Sequence, residues 1–325
     1  MLNYQKTEAV LRKINYRLER LIPLTTPLSI VFGFLLPFVF IHLRPFVPWI
    51  FTVITLSGAL KLRVAELGAT IRNPLPILLC FVAAHVLMPV LAMFTSTLLI
   101  DNPDVVSGFV LVFSGPPAVS AFIWVLILRG DLALCLTIML LNTLLAPIVV
   151  PASLSILMGS KVALDMSGIA ISLLIMIVIP TIIGIGINEA SKKKIPNLVC
   201  PWLDPLSKIC LMTVIATNAA IISPGIKFAD PLIWKVAALV IVLIFTGFFL
   251  IKLVAVIGKC PAPKDIAMII PGGLRNNSVV MTIAVASFPE ATVIPALLSI
   301  IFQQSIAGII GKLFTKKSVN TVKSP

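Results

Sequence analysis

An arginine interrupts an apolar run near one end of this sequence, inside Pro271-Gly272-Gly273-Leu274-Arg275-Asn276-Asn277-Ser278. A guanidinium keeps its charge and presents five N–H donors, so it binds carboxylates, phosphates or clusters of carbonyl oxygens. At membrane depth an ionisable residue is a functional site by default. Proline and glycine break a helix there, and the freed backbone groups need partners from protein, water or ligand. Asn276 and Asn277 can cap the helix that resumes, since asparagine is a strong N-cap, and can touch a ligand as well. A second break, Gly115-Pro116-Pro117, lies in another apolar run and is followed by Ser120. Further polar residues inside apolar runs are His85, Asn142, Asn218, Gln303 and Gln304. Histidine titrates near neutral pH, which makes His85 a candidate for moving a proton; a core histidine with one hydrogen bond is the plainer alternative. Asn142 and Asn218 suit bonds between neighbouring helices. Gln303 and Gln304 point about 100° apart on a helix, so one of the two faces any cavity.

The elements that position these residues are membrane helices. Of 325 residues, 59% are hydrophobic and 11% charged, with a mean hydropathy of +1.13; soluble domains carry about 25% charged residues. The net charge of +13 reads as basic loops facing anionic lipid, and not as a nucleic-acid surface. The five cysteines form no Cys-x-x-Cys pair and read as small packing residues, without disulfides or a metal site. No Gly-x-x-x-x-Gly-Lys-Ser/Thr loop is present to hold a nucleotide. With two histidines and no mid-membrane acid, general acid–base chemistry or a metal centre is hard to assemble. Neither an enzyme nor a cofactor is expected.

Ten apolar segments are long enough to cross a bilayer, which takes about 20 residues each. They begin near Leu21, Phe46, Pro74, Val105, Leu132, Ala163, Pro205, Pro231, Asp265 and Ala291, and the last ends near Phe314. Residues 1–20 form a basic amphipathic segment suited to the cytoplasmic lipid surface, and 315–325 a cytoplasmic tail. With the N-terminus inside, 20 Lys and Arg fall on the cytoplasmic side, including Arg63, Arg72 and Lys323. Four fall outside: Arg44, Lys161, Lys227 and Lys235. That asymmetry follows the positive-inside rule and places both termini in the cytoplasm. The twelve acids, Glu66 among them, all lie in loops, the N-terminal tail or near segment ends, so Arg275 has no carboxylate at its own depth.

Segments two to five and seven to ten start 157 to 160 residues apart. The chain therefore divides into two five-segment halves, about 21–157 and 163–314, and five being odd, the second half is inverted. Only the fourth and ninth segments carry a strong internal break. Matched broken helices in inverted halves point to the binding site of a transporter: half-helix N–H groups attract anions and free carbonyls attract cations.

Three stretches carry a family likeness: Leu60 to Pro89, Gly115 to Pro147 and Gly273 to Phe288. Within them, the turn Arg129-Gly130-Asp131 precedes Leu144-Leu145-Ala146-Pro147. From about Pro37 to Phe314 the chain resembles the bile acid:sodium symporter family. The resemblance implies ten helices in a panel and a core domain, crossing at the breaks of the fourth and ninth, and sodium-coupled import of organic anions. It implies that Pro271 stands where the family has a glutamate that binds both sodium ions, and Arg275 where it has a glutamine. Asn276 is kept near the substrate. The fifth-helix hydroxyl ligands read Cys135 and Met139, and a third-helix glutamine reads Ala84, beside His85. A Ser-Asn pair reads Ser120-Ala121, and the polar pair near the substrate cavity reads Gln303-Gln304.

With the carboxylate and hydroxyls replaced, the sodium site is expected to be degenerate. Arg275 then supplies a fixed positive charge, either bonding carbonyls at the crossing or meeting an anionic substrate. The expected protein is an all-α polytopic secondary transporter of a small organic anion in the plasma membrane. Arg275, Asn276, Asn277, Ser278, Ser120, Gln303 and Gln304 are its substrate residues. His85, Asn142, Asn218, Pro116, Pro117, Pro271, Gly272 and Gly273 serve coupling or structure. Sodium and proton both stand as candidates for the coupling ion. Two alternatives stand beside this reading: an efflux carrier like the arsenite permeases, although no cysteine sits at the fourth-helix break, and a membrane sensor that binds ligand without moving it.

Overall fold

The computed structural model describes residues 2–62, 73–159, 165–226 and 229–321. Arg63, Glu66, Arg72, Lys161, Lys227 and the end of the tail, including Lys323, lie outside the described residues. The order of elements is α1 (Leu2–Leu35), α2 (Pro37–Phe40), a 3-10 turn (Ile41–Phe46), α3 (Val47–Ala59), α4 (Leu75–Val82) and, after a π-helical turn (Ala83–Leu87), α5 (Met88–Leu99). Then come α6 (Pro103–Ser114), α7 (Ser120–Ile127), α8 (Leu132–Met158) and α9 (Met166–Leu173). A second π-helical turn (Leu174–Val178) leads to α10 (Ile179–Ser191), followed by α11 (Lys194–Ile222) and α12 (Pro231–Ile257). The chain ends with α13 (Ala262–Gly273), α14 (Asn277–Ser287) and α15 (Val293–Thr321). The amphipathic segment expected over residues 1–20 is continuous with the first apolar helix, in α1.

Seven helices among the described residues are long and apolar enough to cross a membrane: Pro37–Ala59, Leu75–Leu99, Leu132–Met158, Met166–Ser191, Lys194–Ile222, Pro231–Ile257 and Glu290–Gly311. The fourth and ninth expected segments are each two short helices, α6 with α7 and α13 with α14. Large side chains such as Ile156 and Leu98 stay mostly exposed, 80% and 73%, as lipid-facing residues do.

Helix starts follow local chemistry. The Asn102 side chain accepts from the Asp104 and Val105 amides at 2.9 and 3.3 Å, with Pro103 preorganised in the first turn of α6. Asp131 caps α8 through the Leu134 amide, 3.0 Å, and Asp230 caps α12 through the Leu232 amide, 2.8 Å.

The chain divides into two compact units, one of residues 1–65 and 171–226 and one of residues 66–170 and 227–325. In the first, α1 and α11 approach so closely that a Cβ on Gly33 would strike the Ala216 carbonyl. The π turn before Pro180 also belongs to it. Proline has no N–H and its ring crowds the carbonyl four residues back, so acceptors before Pro180 are left over; Thr55 Oγ1 donates to the Met176 carbonyl at 2.9 Å. Asp204 in α11 accepts from Lys61 Nζ at 2.8 Å and Ser57 Oγ at 3.1 Å, tying α3 to α11. The second unit holds α4 to α8 and α12 to α15, and with them both helix breaks.

Candidate functional site

The first break is made by backbone chemistry. A residue that precedes proline is pushed out of the helical region, and here two in a row do so. Gly115, before Pro116, has φ −60° and ψ 156° and ends α6. Pro116 precedes Pro117, and α7 resumes at Ser120. The second break falls after the Pro-Gly-Gly run. Pro271, Gly272 and Gly273 are the last turn of α13, and Leu274 turns extended at φ −90° and ψ 111°. Asn276 then caps α14 by accepting from the Val279 amide at 3.4 Å. The glycines are there for space: a Cβ on Gly273 would enter the Phe248 ring, and one on Gly272 would lie 2.9 Å from Ile251.

The two extended pieces run antiparallel and pair, Pro117 opposite Arg275. Ala118 N–H donates to the Leu274 carbonyl at 2.9 Å, and Asn276 N–H to the Pro116 carbonyl at 2.7 Å. On the other edge of Arg275, one side chain completes the pairing. Arg275 N–H donates to Gln303 Oε1 at 3.0 Å, and Gln303 Nε2 donates to the Arg275 carbonyl at 2.7 Å. Gln303 thus bonds the arginine backbone as a neighbouring strand would. It also accepts from Asn277 Nδ2 at 3.0 Å.

The Arg275 side chain is 2% exposed. Its guanidinium donates to the Gly115 carbonyl at 3.1 Å and to the Ala84 carbonyl at 2.7 Å. Ala84 lies in the first π turn, where Met88 N–H bonds the Ala83 carbonyl. The next donor in that ladder would be residue 89, a proline, so the Ala84 oxygen has no claimant on its own helix. Hydrogen bonds to charged groups contribute about 1.5–3 kcal/mol each. Two of them offset the ~2.5–3.5 kcal/mol that insertion scales assign to a mid-membrane arginine.

His85, one residue on, is 4% exposed and bonded through Nε2 to Asn142 Oδ1. Asn142 Nδ2 donates to the Ile138 carbonyl at 2.5 Å. A carbonyl only accepts, so the amide orientation is fixed and His85 Nε2 carries a proton. This is the arrangement of a core histidine. Gln304 takes another course: its Nε2 donates to Ser120 Oγ at 3.0 Å, and its Oε1 accepts from Trp124 Nε1 at 3.2 Å.

Of the residues expected from sequence, Arg275, Asn276, Asn277, Ser278, Gln303, Gln304, Ser120, Pro116, Pro117 and the Pro271 to Gly273 turn gather in one unit, with His85 and Asn142 beside Ala84. Asn218 belongs to the other unit, buried in α11. Arg275, Asn277 and Gln303 are buried, whereas Asn276, Ser278, Ser120 and Gln304 keep partial exposure. The sequence reading missed Trp124 and the Ala84 carbonyl. Trp124 stands four residues after Ser120, on the same helix face, and that spacing was the available signal.

Comparison with known proteins bears on the family. The profile of the Sodium Bile acid symporter family matches residues 48–224. YbaS of Bacillus subtilis is 33% identical over 295 residues, 90% of this chain and 96% of that one. The sodium-dependent transporter YocS of the same organism is 20% identical over 308 residues, 95% of each chain. Sodium/bile acid cotransporter 5 of Rattus norvegicus is 27% identical over 238 residues, 71% of this chain and 53% of that one. The family is one of transporters and not of enzymes. With its apolar helices and a profile match over more than half its length, this chain is a multi-pass membrane protein that belongs to the Sodium Bile acid symporter family.

Proposed function

We propose that this chain is a secondary active transporter of a small organic anion, in which Arg275 supplies at the helix breaks the positive charge that a bound cation would otherwise bring. The observation that carries this reading is the Arg275 guanidinium, buried and donating to the Gly115 and Ala84 carbonyls. Carbonyl oxygens are the ligands a hard cation seeks. With a tethered cation already on them, sodium is not required to hold the breaks together.

The topology of this reading is ten crossings, in inverted halves of residues 21–157 and 163–314, with both termini cytoplasmic in the plasma membrane. The basic residues of 1–20 open α1 on the cytoplasmic side, and α15 carries on into the cytoplasm as far as Thr321. At 1.5 Å per residue the 12-residue α6 is about 18 Å long and the 8-residue α7 about 12 Å. Neither spans the roughly 30 Å of hydrocarbon alone, and together they do. The same holds for α13 and α14. The substrate meets the N-terminal ends of α7 and α14, the positive ends of their helix dipoles, which favour an anion. Ser120, Asn276, Ser278 and Gln304 line that place; Arg275, Asn277 and Gln303 stand behind them as support. Rocking of one part of the chain against another alternates access, and the two compact units support that division of labour.

The test is uptake of radiolabelled cholate into proteoliposomes with sodium replaced by choline. Uptake and counterflow should persist in choline. A strict sodium requirement would overturn the role given to Arg275. Binding without exchange would instead favour a ligand sensor.

A further inference from the structure

We infer that Trp124 and Gln304 are positioning residues that direct the Ser120 hydroxyl proton toward the substrate and so select for an anionic acceptor group. This rests on the transport reading above and adds which atoms set its specificity. An indole N–H can only donate. Trp124 Nε1 lies 3.2 Å from one end of the Gln304 amide, so that end is the oxygen. The other end is then the NH2 group, 3.0 Å from Ser120 Oγ. Ser120 therefore accepts from Gln304, and its own proton is left uncommitted among the described residues. The chain runs one way: indole N–H to amide oxygen, amide N–H to hydroxyl oxygen, hydroxyl proton onward. Bonds aligned in this sense polarise one another and strengthen the terminal donor.

Both anchors are held. Trp124 lies against Gly308 of α15, where an added Cβ would come within 3.3 Å of the indole. Gln304 is one turn before Gly308 on that helix, and Ser120 one turn before Trp124 on α7. Ser120 is half-buried and follows the exposed Val119, so its hydroxyl is not sealed in the core, and its rotor can turn the proton toward a bound solute. The strongest acceptor for it is a carboxylate or sulfonate oxygen, whereas a cationic amine can use only the remaining lone pair of Ser120 Oγ.

The test has two readouts on the full chain in lipid nanodiscs. Without ligand, the 15N-indole resonance of Trp124 is followed in Gln304→Met and Ser120→Ala. Both should shift it, Gln304→Met more, because the indole loses its acceptor. With cholate as probe, binding is measured in Ser120→Ala, Trp124→Phe and the double variant. Ser120→Ala should weaken cholate about tenfold, as loss of a bond to a charged group does, and Trp124→Phe about threefold. The double variant should match Ser120→Ala alone, since Trp124 acts only through that hydroxyl. Ser120→Thr should restore most of the affinity. Additive losses, or an indole resonance indifferent to Ser120→Ala and Gln304→Met, would overturn the inference. If the unaltered chain binds no cholate, the organic-anion reading fails while the indole resonance still decides the chain of bonds.

Discussion

Between Gly115 and Val119 every side chain is apolar or absent, whereas the second break carries a guanidinium and is followed by two amides. The first piece offers only backbone: the Gly115 and Pro116 oxygens and the Ala118 N–H. The second supplies the side chains that use them. Prolines make the first break whatever surrounds it, because they cannot continue the ladder. The second has no proline after it, and is held open by Asn276 as cap, Gln303 as a strand substitute and Arg275 as a clamp on the facing carbonyls. One break is thus set by local sequence and the other by tertiary partners. Substitutions should hurt the second more.

The largest effect is expected from Arg275→Met. Two buried carbonyls lose their donor, at about 1–3 kcal/mol each, and transport should fall by about a hundredfold or more, roughly 2.7 kcal/mol. If the guanidinium stands in for a cation, replacing choline chloride by sodium chloride should raise the melting temperature of this variant and leave the unaltered chain unmoved. A variant indifferent to sodium would break the comparison at its centre. Next comes Gln303→Leu, which strips the Arg275 N–H and carbonyl of partners on one edge and should cost about 2–3 kcal/mol in denaturant unfolding. Gly115→Ala follows on the first break: its new Cβ would lie 2.5 Å from Val280 Cγ2, overpacking worth about 1–3 kcal/mol. Val280→Ala in the same chain should recover most of that loss. The smallest effect belongs to Pro117→Ala. The extended backbone suits alanine, so the change is the chain stiffness of proline, under about 1 kcal/mol, together with one new N–H at a buried position. A Pro117→Ala loss equal to that of Gln303→Leu would erase the distinction between the two breaks.

The same distinction explains what was legible in the sequence. Helix interruptions at Gly115-Pro116-Pro117 and after Gly272-Gly273 follow from residue type, and so does the capping by Asn276. The pairing of Pro117 with Arg275 was implicit in matched breaks. What Arg275 bonds could not be read. Its partners are backbone oxygens, which every residue has, and Ala84 has nothing in its side chain to mark it. Gln303 and Gln304 look alike in sequence, yet one serves the arginine backbone and the other links Trp124 to Ser120, because adjacent helical residues face different neighbours. His85 looked fit to carry a proton; the Asn142 amide, with its orientation fixed by the Ile138 carbonyl, commits one of its nitrogens to a structural bond. Asn218 shares the polarity of the cluster and not its unit, a difference that only the fold reveals.

The π turn ahead of Pro89 has a consequence for how such a chain could have come about. The proline keeps the Ala84 oxygen unclaimed, and Arg275 claims it. An arginine at position 275 in a chain without Pro89 would share that acceptor with an amide, and the bond it makes there would be the weaker for it. The proline and the charge therefore depend on each other. Once both are present, neither reverts easily alone, since losing the charge strands an oxygen and losing the proline gives the charge a competitor. Two positions far apart in the sequence are locked into one inheritance by a hydrogen that proline does not have.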